Sequence, residues 1–199
     1  MPNAIIYLGA KPVYVDINPE TYNMDFNKIE SSITSKTKII ICQNTYGLSS
    51  DLEKINDIAK KNNLYTIEDC THGFGGPYNG KPNGSYCDAA FYSTQWNKPF
   101  STGLGGFAVV NNQKIINILS SYESLKEEPS LKDRLMLKLL YFIRKRLITE
   151  KSYWFMIKVY RWLSHKNIVL GSSKGEEIEG IEIPRNYFKN FSKTQAVEG

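Results

Sequence analysis

The chain predicts an α/β fold, a mostly parallel sheet flanked by helices, and three observations carry that reading. Two unbroken β-rich runs, Lys38-Ile39-Ile40-Ile41-Cys42 and Leu64-Tyr65-Thr66-Ile67-Glu68, have the continuous apolarity of strands buried on both faces. Between them, Asp51 opens a helix that sets Leu52, Ile55, Ile58 and Ala59 on one face, the spacing of a strand–helix–strand crossover. With 199 residues and 41% apolar content, the chain can bury one full core and a small appendage.

The elements follow in order. Met1-Pro2-Asn3 leads directly into the last turns of a helix, and Gly9 stops it. Lys11-Pro12-Val13-Tyr14-Val15-Asp16 reads as a short strand. Asp25 can cap a helix carrying Phe26, Ile29 and Ile33. After the two apolar strands, Tyr78-Asn79-Gly80-Lys81 holds the Asn-Gly pair of a tight hairpin. Asp88-Ala89-Ala90-Phe91-Tyr92-Ser93 and Gly106-Phe107-Ala108-Val109-Val110 form two further strands around a glycine-rich turn. From Asn112 the chain is helical and basic to about Lys166, and Gly171 to Gly180 reads as a linker. The expected organisation is a partial α/β domain over 1–112, a basic amphipathic helical segment over 113–170, and a linker with the start of a further domain over 171–199. Both ends read as cut from a longer protein.

Cys42, Cys70 and Cys87 show no paired spacing, which favours a reduced setting over a disulfide framework. No signal-peptide layout is visible at the N-terminus, and no apolar run approaches the roughly 18 residues of a spanning helix. A cytoplasmic location is therefore expected. The net charge is +5, but the stretch from Leu131 to Lys166 alone carries ten Lys/Arg against Asp133 and Glu150, so the rest of the chain is acidic. Charge confined to one segment argues for a local surface and against a nucleic-acid-binding fold.

The chemistry-bearing text is Glu68-Asp69-Cys70-Thr71-His72, then Ser93-Thr94-Gln95-Trp96-Asn97-Lys98, then Gly103-Leu104-Gly105-Gly106. In a parallel sheet, ligands sit beyond the carboxyl ends of the strands, where Asp69 falls. An acid, a hydroxyl and an amine converging on one sheet edge suit pyridoxal 5′-phosphate (PLP), which needs a partner for its pyridinium, a phosphate ligand and a covalent tether. Gly103-Leu104-Gly105-Gly106 is not a dinucleotide fingerprint, since it lacks the spacing and precedes a strand. No metal-binding pattern is present.

At this point the chain resembles the DegT/DnrJ/StrS-type family of PLP-dependent nucleotide-sugar aminotransferases. The likeness rests on Asn3-Ala4-Ile5, Gly9 through Asp16, Tyr46-Gly47, Ile67-Glu68-Asp69, Tyr78 through Lys81, Gly84-Ser85, Asp88-Ala89-Ala90, Ser93 and Lys98. The fold it implies is the large domain of fold-type-I PLP-dependent transferases. By the same resemblance, Lys98 tethers the cofactor and moves protons, Asp69 pairs with the pyridine nitrogen, and Ser93 binds the phosphate. The turn glycines would let the backbone approach the ring. His72 stands where the family carries glutamine, and either donates to the ring hydroxyl or is a structural histidine. Asn44 replaces a frequent histidine, and Phe188 and Asn190 replace a frequent asparagine and arginine ahead of Thr194-Gln195-Ala196. The implied reaction is transfer of an amino group, with glutamate as donor, to a nucleotide-linked keto-sugar, in a homodimer. The short chain by itself is expected to bind PLP weakly or not at all. The rival reading is an inactive remnant serving as a membrane-surface or partner-binding module.

Residues 131–166 exceed what this chemistry requires. Arg134, Lys138 and Lys145 share one face of a first helix, with Leu135, Leu139, Leu140 and Phe142 favouring the other side. In a second, Lys151, Lys158, Arg161 and His165 form a stripe among Tyr153, Trp154, Phe155, Ile157, Tyr160 and Trp162. Peripheral contact with an anionic membrane, at its inner face, is one expectation. Packing on the parent domain or on a dimer partner is the other.

Overall fold

The structure, a computed structural model, describes residues 2–166, 169, 183 and 188–198. The predicted linker over 171–180 lies outside them. The chain forms two compact units, residues 13–124 and residues 1–12 with 125–199.

The first unit is built on a sheet. A helix α1 (Pro2–Tyr7) belongs to the other unit, and it ends in a turn at Gly9, whose φ of +71° is open to glycine at little steric cost. The first strand is β1 (Ile39–Gln43), followed by helix α2 (Leu52–Lys61) and strand β2 (Tyr65–Asp69). A hairpin of β3 (Pro77–Tyr78) and β4 (Lys81–Pro82) turns through Asn79 and Gly80, both at positive φ as a tight two-residue turn demands. Strands β5 (Ala89–Ser93) and β6 (Gly106–Val110) complete the sheet, and helix α3 (Gln113–Ser120) follows with Asn112 capping its N-terminus. The sheet order is β1-β2-β5-β6, with the first three strands parallel and β6 antiparallel to β5.

One face of this sheet is closed. Ile40 and Cys42 pack with Leu52, Ile55 and Ala59 of α2, together with Ile29 and Cys87. The helix therefore buries the face its sequence spacing announced. Two expectations need correcting. Lys11 to Asp16 forms no strand; the pairing nearest to it is an isolated bridge between Ile17 and Met24. A strand needs a neighbour to complete its ladder, and Pro12 also lacks a donor. Asp25 caps as expected, accepting from the Asn27 N–H at 3.1 Å, but the capped element is a 3-10 turn (Phe26–Lys28) followed by another (Glu30–Ser32).

Behind the end of β2 lies a buried carboxylate. Glu68 is fully buried, with Oε1 accepting from Asn44 Nδ2 and Oε2 from the Gly84 N–H, each at 2.8 Å. Asn44 is also fully buried, its N–H donates to the Asp69 carbonyl at 3.1 Å, and its Oδ1 accepts from the Ser50 N–H. Gly84 sits at φ +92°, where an added Cβ would collide with the Tyr92 hydroxyl. That hydroxyl donates to the Asn83 carbonyl. One carboxylate thus binds the loop after β1 and the turn before β5 to the end of β2.

The second unit holds helices α4 (Leu131–Arg146), α5 (Tyr153–His165) and α6 (Lys193–Glu198). Ser130 and Asp133 form a reciprocal capping box at the start of α4, and Asp133 also pairs with Lys189 at 2.8 Å. A similar Ser192–Gln195 exchange precedes α6, which packs on α4. Phe188 and Asn190, flagged in the sequence, use their backbone to bond both sides of Glu127.

Two outcomes are expected. Glu68→Gln keeps the shape but turns a donor toward one of two donors, so unfolding free energy should fall by about 1.5–3 kcal/mol in denaturant titration. Cys42, Cys70 and Cys87 are free and buried. The bond to Cys87 and burial raise the Cys42 thiol, and burial followed by the Glu68 charge raises that of Cys70. Both thiols thus hold back the reactive thiolate at neutral pH. Thiol titration should find no rapidly reacting cysteine in the native protein and three after unfolding.

Candidate active site

Strand register decides where the predicted residues go. Asp69 pairs with Gln43 on one side and Phe91 on the other, at the carboxyl ends of parallel strands. Ser93 lies two residues beyond Phe91, hence on the same face as Asp69, and pairs with Gly106. Because β6 runs back antiparallel, the connection carrying Lys98 emerges at this same edge. Asp69, Ser93 and the connection that carries Lys98 therefore lie at one sheet edge.

The connection is held at its base. Thr94 and Thr102 are buried and bonded hydroxyl to hydroxyl at 2.8 Å, while the Thr102 N–H donates to the Thr94 carbonyl and the Thr94 N–H to the Gly105 carbonyl. Ser101 Oγ donates to the Thr94 carbonyl as well. Within the loop, the Lys98 N–H closes a turn onto the Gln95 carbonyl. Phe100 stacks on Phe74 at 4.9 Å between centroids, and Phe74 meets the edges of Tyr92 and Phe107. These rings join the lysine loop to the segment after Asp69.

The turn glycines act differently from one another. Gly103 and Gly105 adopt positive φ, 83° and 97°. At Gly106 the missing Cβ leaves room for the Tyr92 carbonyl of the neighbouring strand, so this glycine serves strand pairing and does not make room for a ring.

Hydrogen bonding separates the candidates from their surroundings. Glu68, Asn44, Asn83, Thr94 and Thr102 are all engaged inside the protein. Asp69 is 5% exposed, and its Oδ1 accepts from the Thr71 N–H at 2.9 Å. Its second oxygen, Ser93 Oγ and Lys98 Nζ bond to none of the described residues. Three complementary groups, half-buried or nearly buried and left open, suit an anionic, pyridinium-bearing, aldehyde-bearing ligand. His72, three residues after Asp69, is exposed. A cavity of about 660 Å³ opens at the opposite sheet edge, beside Tyr65, Asp88 and Asn112, and contains none of these groups.

Sequence reasoning missed the support beneath the site. Asn44, which departs from the family's frequent histidine, ties the site together: its side chain bonds Glu68 and the Ser50 N–H, and its own N–H the Asp69 carbonyl. A usable signal was the charged Glu68 inside an otherwise apolar strand, because a buried acid requires donors. The Thr94–Thr102 clasp had no such signal, since its partners are eight residues apart in an irregular turn.

Comparison with known proteins identifies the family. The model of the DegT/DnrJ/EryC1/StrS aminotransferase family matches residues 2–134. The chain is 37% identical over 196 residues to the GDP-perosamine synthase of Escherichia coli O157:H7, covering 96% of this chain and 48% of that protein. It is 45% identical over 132 residues to the dTDP-3-amino-3,6-dideoxy-alpha-D-galactopyranose transaminase of Aneurinibacillus thermoaerophilus, covering 64% of this chain and 36% of that protein. Among solved structures, the PLP form of Spr1654 from Streptococcus pneumoniae superposes with a TM-score of 0.55 at 30% identity, over 60% of this chain and 34% of that one. The chain thus spans about half the length, or less, of the curated relatives it matches. A fold of three parallel strands and one antiparallel strand, an edge with an open acid, hydroxyl and amine, and a match over two-thirds of the residues lead to one conclusion: the chain belongs to the DegT/DnrJ/EryC1/StrS family of PLP-dependent aminotransferases.

Proposed function

We propose that this chain builds the cofactor end of an aminotransferase that moves an amino group from glutamate to a nucleotide-linked keto-sugar. The observation that carries the reading is the contrast in commitment. Glu68, Asn44, Asn83, Thr94 and Thr102 are hydrogen-bonded inside the protein, while Asp69, Ser93 and Lys98 each keep a functional group open to the described residues at one sheet edge.

Bound at this edge, PLP would supply an electron sink for a carbanion next to the transferred nitrogen. Asp69 would offer its second oxygen to the ring nitrogen and hold a proton there, the first oxygen being fixed by Thr71. Ser93 would donate its hydroxyl to the phosphate. Lys98 would tether the cofactor through its amine and, once displaced by the incoming amine, accept and return a proton at Nζ. His72, exposed three residues after Asp69, would donate to the ring hydroxyl. The substrate class is supported by the two curated relatives, which are named for GDP-linked and dTDP-linked amino sugars. The proposed partner subunit is a second copy of the chain, as the family resemblance implies, and three free cysteines are in keeping with a cytoplasmic setting.

The test is chemical trapping. The protein is mixed with PLP, reduced with borohydride and mapped by mass spectrometry. One pyridoxyl group is expected on Lys98, with a visible absorbance band that vanishes in Lys98→Ala. Label spread over exposed lysines with no preference for Lys98 would refute the assignment. Asp69→Asn should weaken cofactor binding roughly tenfold or more, and in an active assembly Lys98→Ala should cost at least about 10²–10⁴ in rate through lost proton transfer.

A further inference from the structure

The family match ends at residue 134, so most of α4 and all of α5 lie beyond it. These two helices also carry the chain's concentration of positive charge. The sequence left open whether their apolar side chains pack inward, and the burial of each helix answers that.

Helix α4 packs through Leu137 and Tyr141, each 6% exposed, with Met136 and Leu140 half-buried beside them. Leu131, Leu135, Leu139 and Phe142 form a separate stripe that faces water, and the last three are 57%, 52% and 59% exposed. Arg134 and Lys138 flank that stripe and are exposed too. Helix α5 repeats the arrangement. Met156, Ile157, Val159, Tyr160 and Leu163 are half-buried, whereas Trp154, Phe155 and Trp162 are 72%, 67% and 58% exposed. Between those aromatics, on the same outward face, stand Lys151, Lys158 and Arg161. The two acids of the stretch do not oppose these cations: Asp133 is turned to Lys189 and Ser130, and Glu150 lies in the turn between the helices.

We propose that the outward faces of α4 and α5 are a docking surface for an anionic lipid bilayer, on which the protein sits peripherally. On each helix, large apolar side chains and cations interleaved on the exposed side match a bilayer interface in both chemistries. Leucine, phenylalanine and tryptophan enter the boundary between headgroups and acyl chains, and lysine and arginine meet the lipid phosphates. A second copy of this chain fits worse, because it would set one cationic face against another. A nucleic acid would satisfy the cations but leave Leu135, Leu139 and Phe142 in water. Neither helix spans, since no helix among the described residues is long and apolar enough to cross a membrane. The inference stands apart from the cofactor reading and can fail or hold without it.

The experiment is co-sedimentation of the full chain with phosphatidylcholine vesicles, with and without phosphatidylglycerol. Pelleting is expected only with the anionic vesicles. It should be lost as salt is raised and be accompanied by quenching of tryptophan fluorescence when the lipids carry bromine near the headgroup. The triple variant Lys151→Glu, Lys158→Glu, Arg161→Glu should bind about a hundredfold more weakly or less. Trp154→Ala with Trp162→Ala should lower binding at every salt concentration while keeping the salt dependence. Circular dichroism melts matching the parent would show that these surface variants fold. Any of four results overturns the proposal: no pelleting at low salt, equal pelleting with neutral vesicles, variants that bind like the parent, or lipid-free self-association or binding to duplex nucleic acid that shields the tryptophans in place of vesicles.

Discussion

A carboxylate buried without a cation is the constraint on which the rest of the sheet edge depends. Glu68 has left water completely and offsets that loss through the Gly84 N–H and the Asn44 amide, with the Cys70 thiol beside them. The donors come from two different loops, one after β1 and one before β5, each of which is also held by bonds of its own. Satisfying the acid therefore joins two loops at once. Because successive side chains on a strand point to opposite faces, holding Glu68 inward necessarily directs Asp69 to the other face. The acid that does no chemistry sets the direction of the acid that is proposed to do it.

Similar division of labour recurs around the lysine. Thr94 and Thr102 close the base of the loop, and Phe100 rests on Phe74, so the loop is tied both to its own strand and to the segment following Asp69. Held in this way, the amine can keep its donors for a ligand. Groups at a site that must exchange partners during a reaction are best left uncommitted by the fold, and their rigidity must then come from neighbours. The separation between committed and open groups at this edge has that form.

The helical unit follows a different logic. Its inward faces are ordinary packing surfaces, secured by the Ser130–Asp133 capping box and the Asp133–Lys189 pair. The latter pair and the Ser130 bonds hold the Asp133 carboxyl below its usual range although burial opposes them most strongly. The outward faces leave large aromatic side chains in water, the feature on which the proposed bilayer contact rests.

Much of this was legible in the residues. Runs of β-branched side chains marked β1 and β2, 3.6-residue spacing marked α2, and Asn79-Gly80 marked the hairpin, because those signals depend only on local sterics and on which side chains must leave water. The likeness to the aminotransferase family likewise came from short stretches read in order. Folding in three dimensions decided what depends on partners distant in sequence. Lys11 to Asp16 found no neighbour and stayed out of the sheet, and Asn44 met Glu68 across 24 residues. Register placed Asp69 and Ser93 on one face, and packing turned Leu135, Leu139 and Phe142 outward. Periodicity reports that a helix has an apolar stripe, but only the position of the surrounding chain determines whether that stripe is covered.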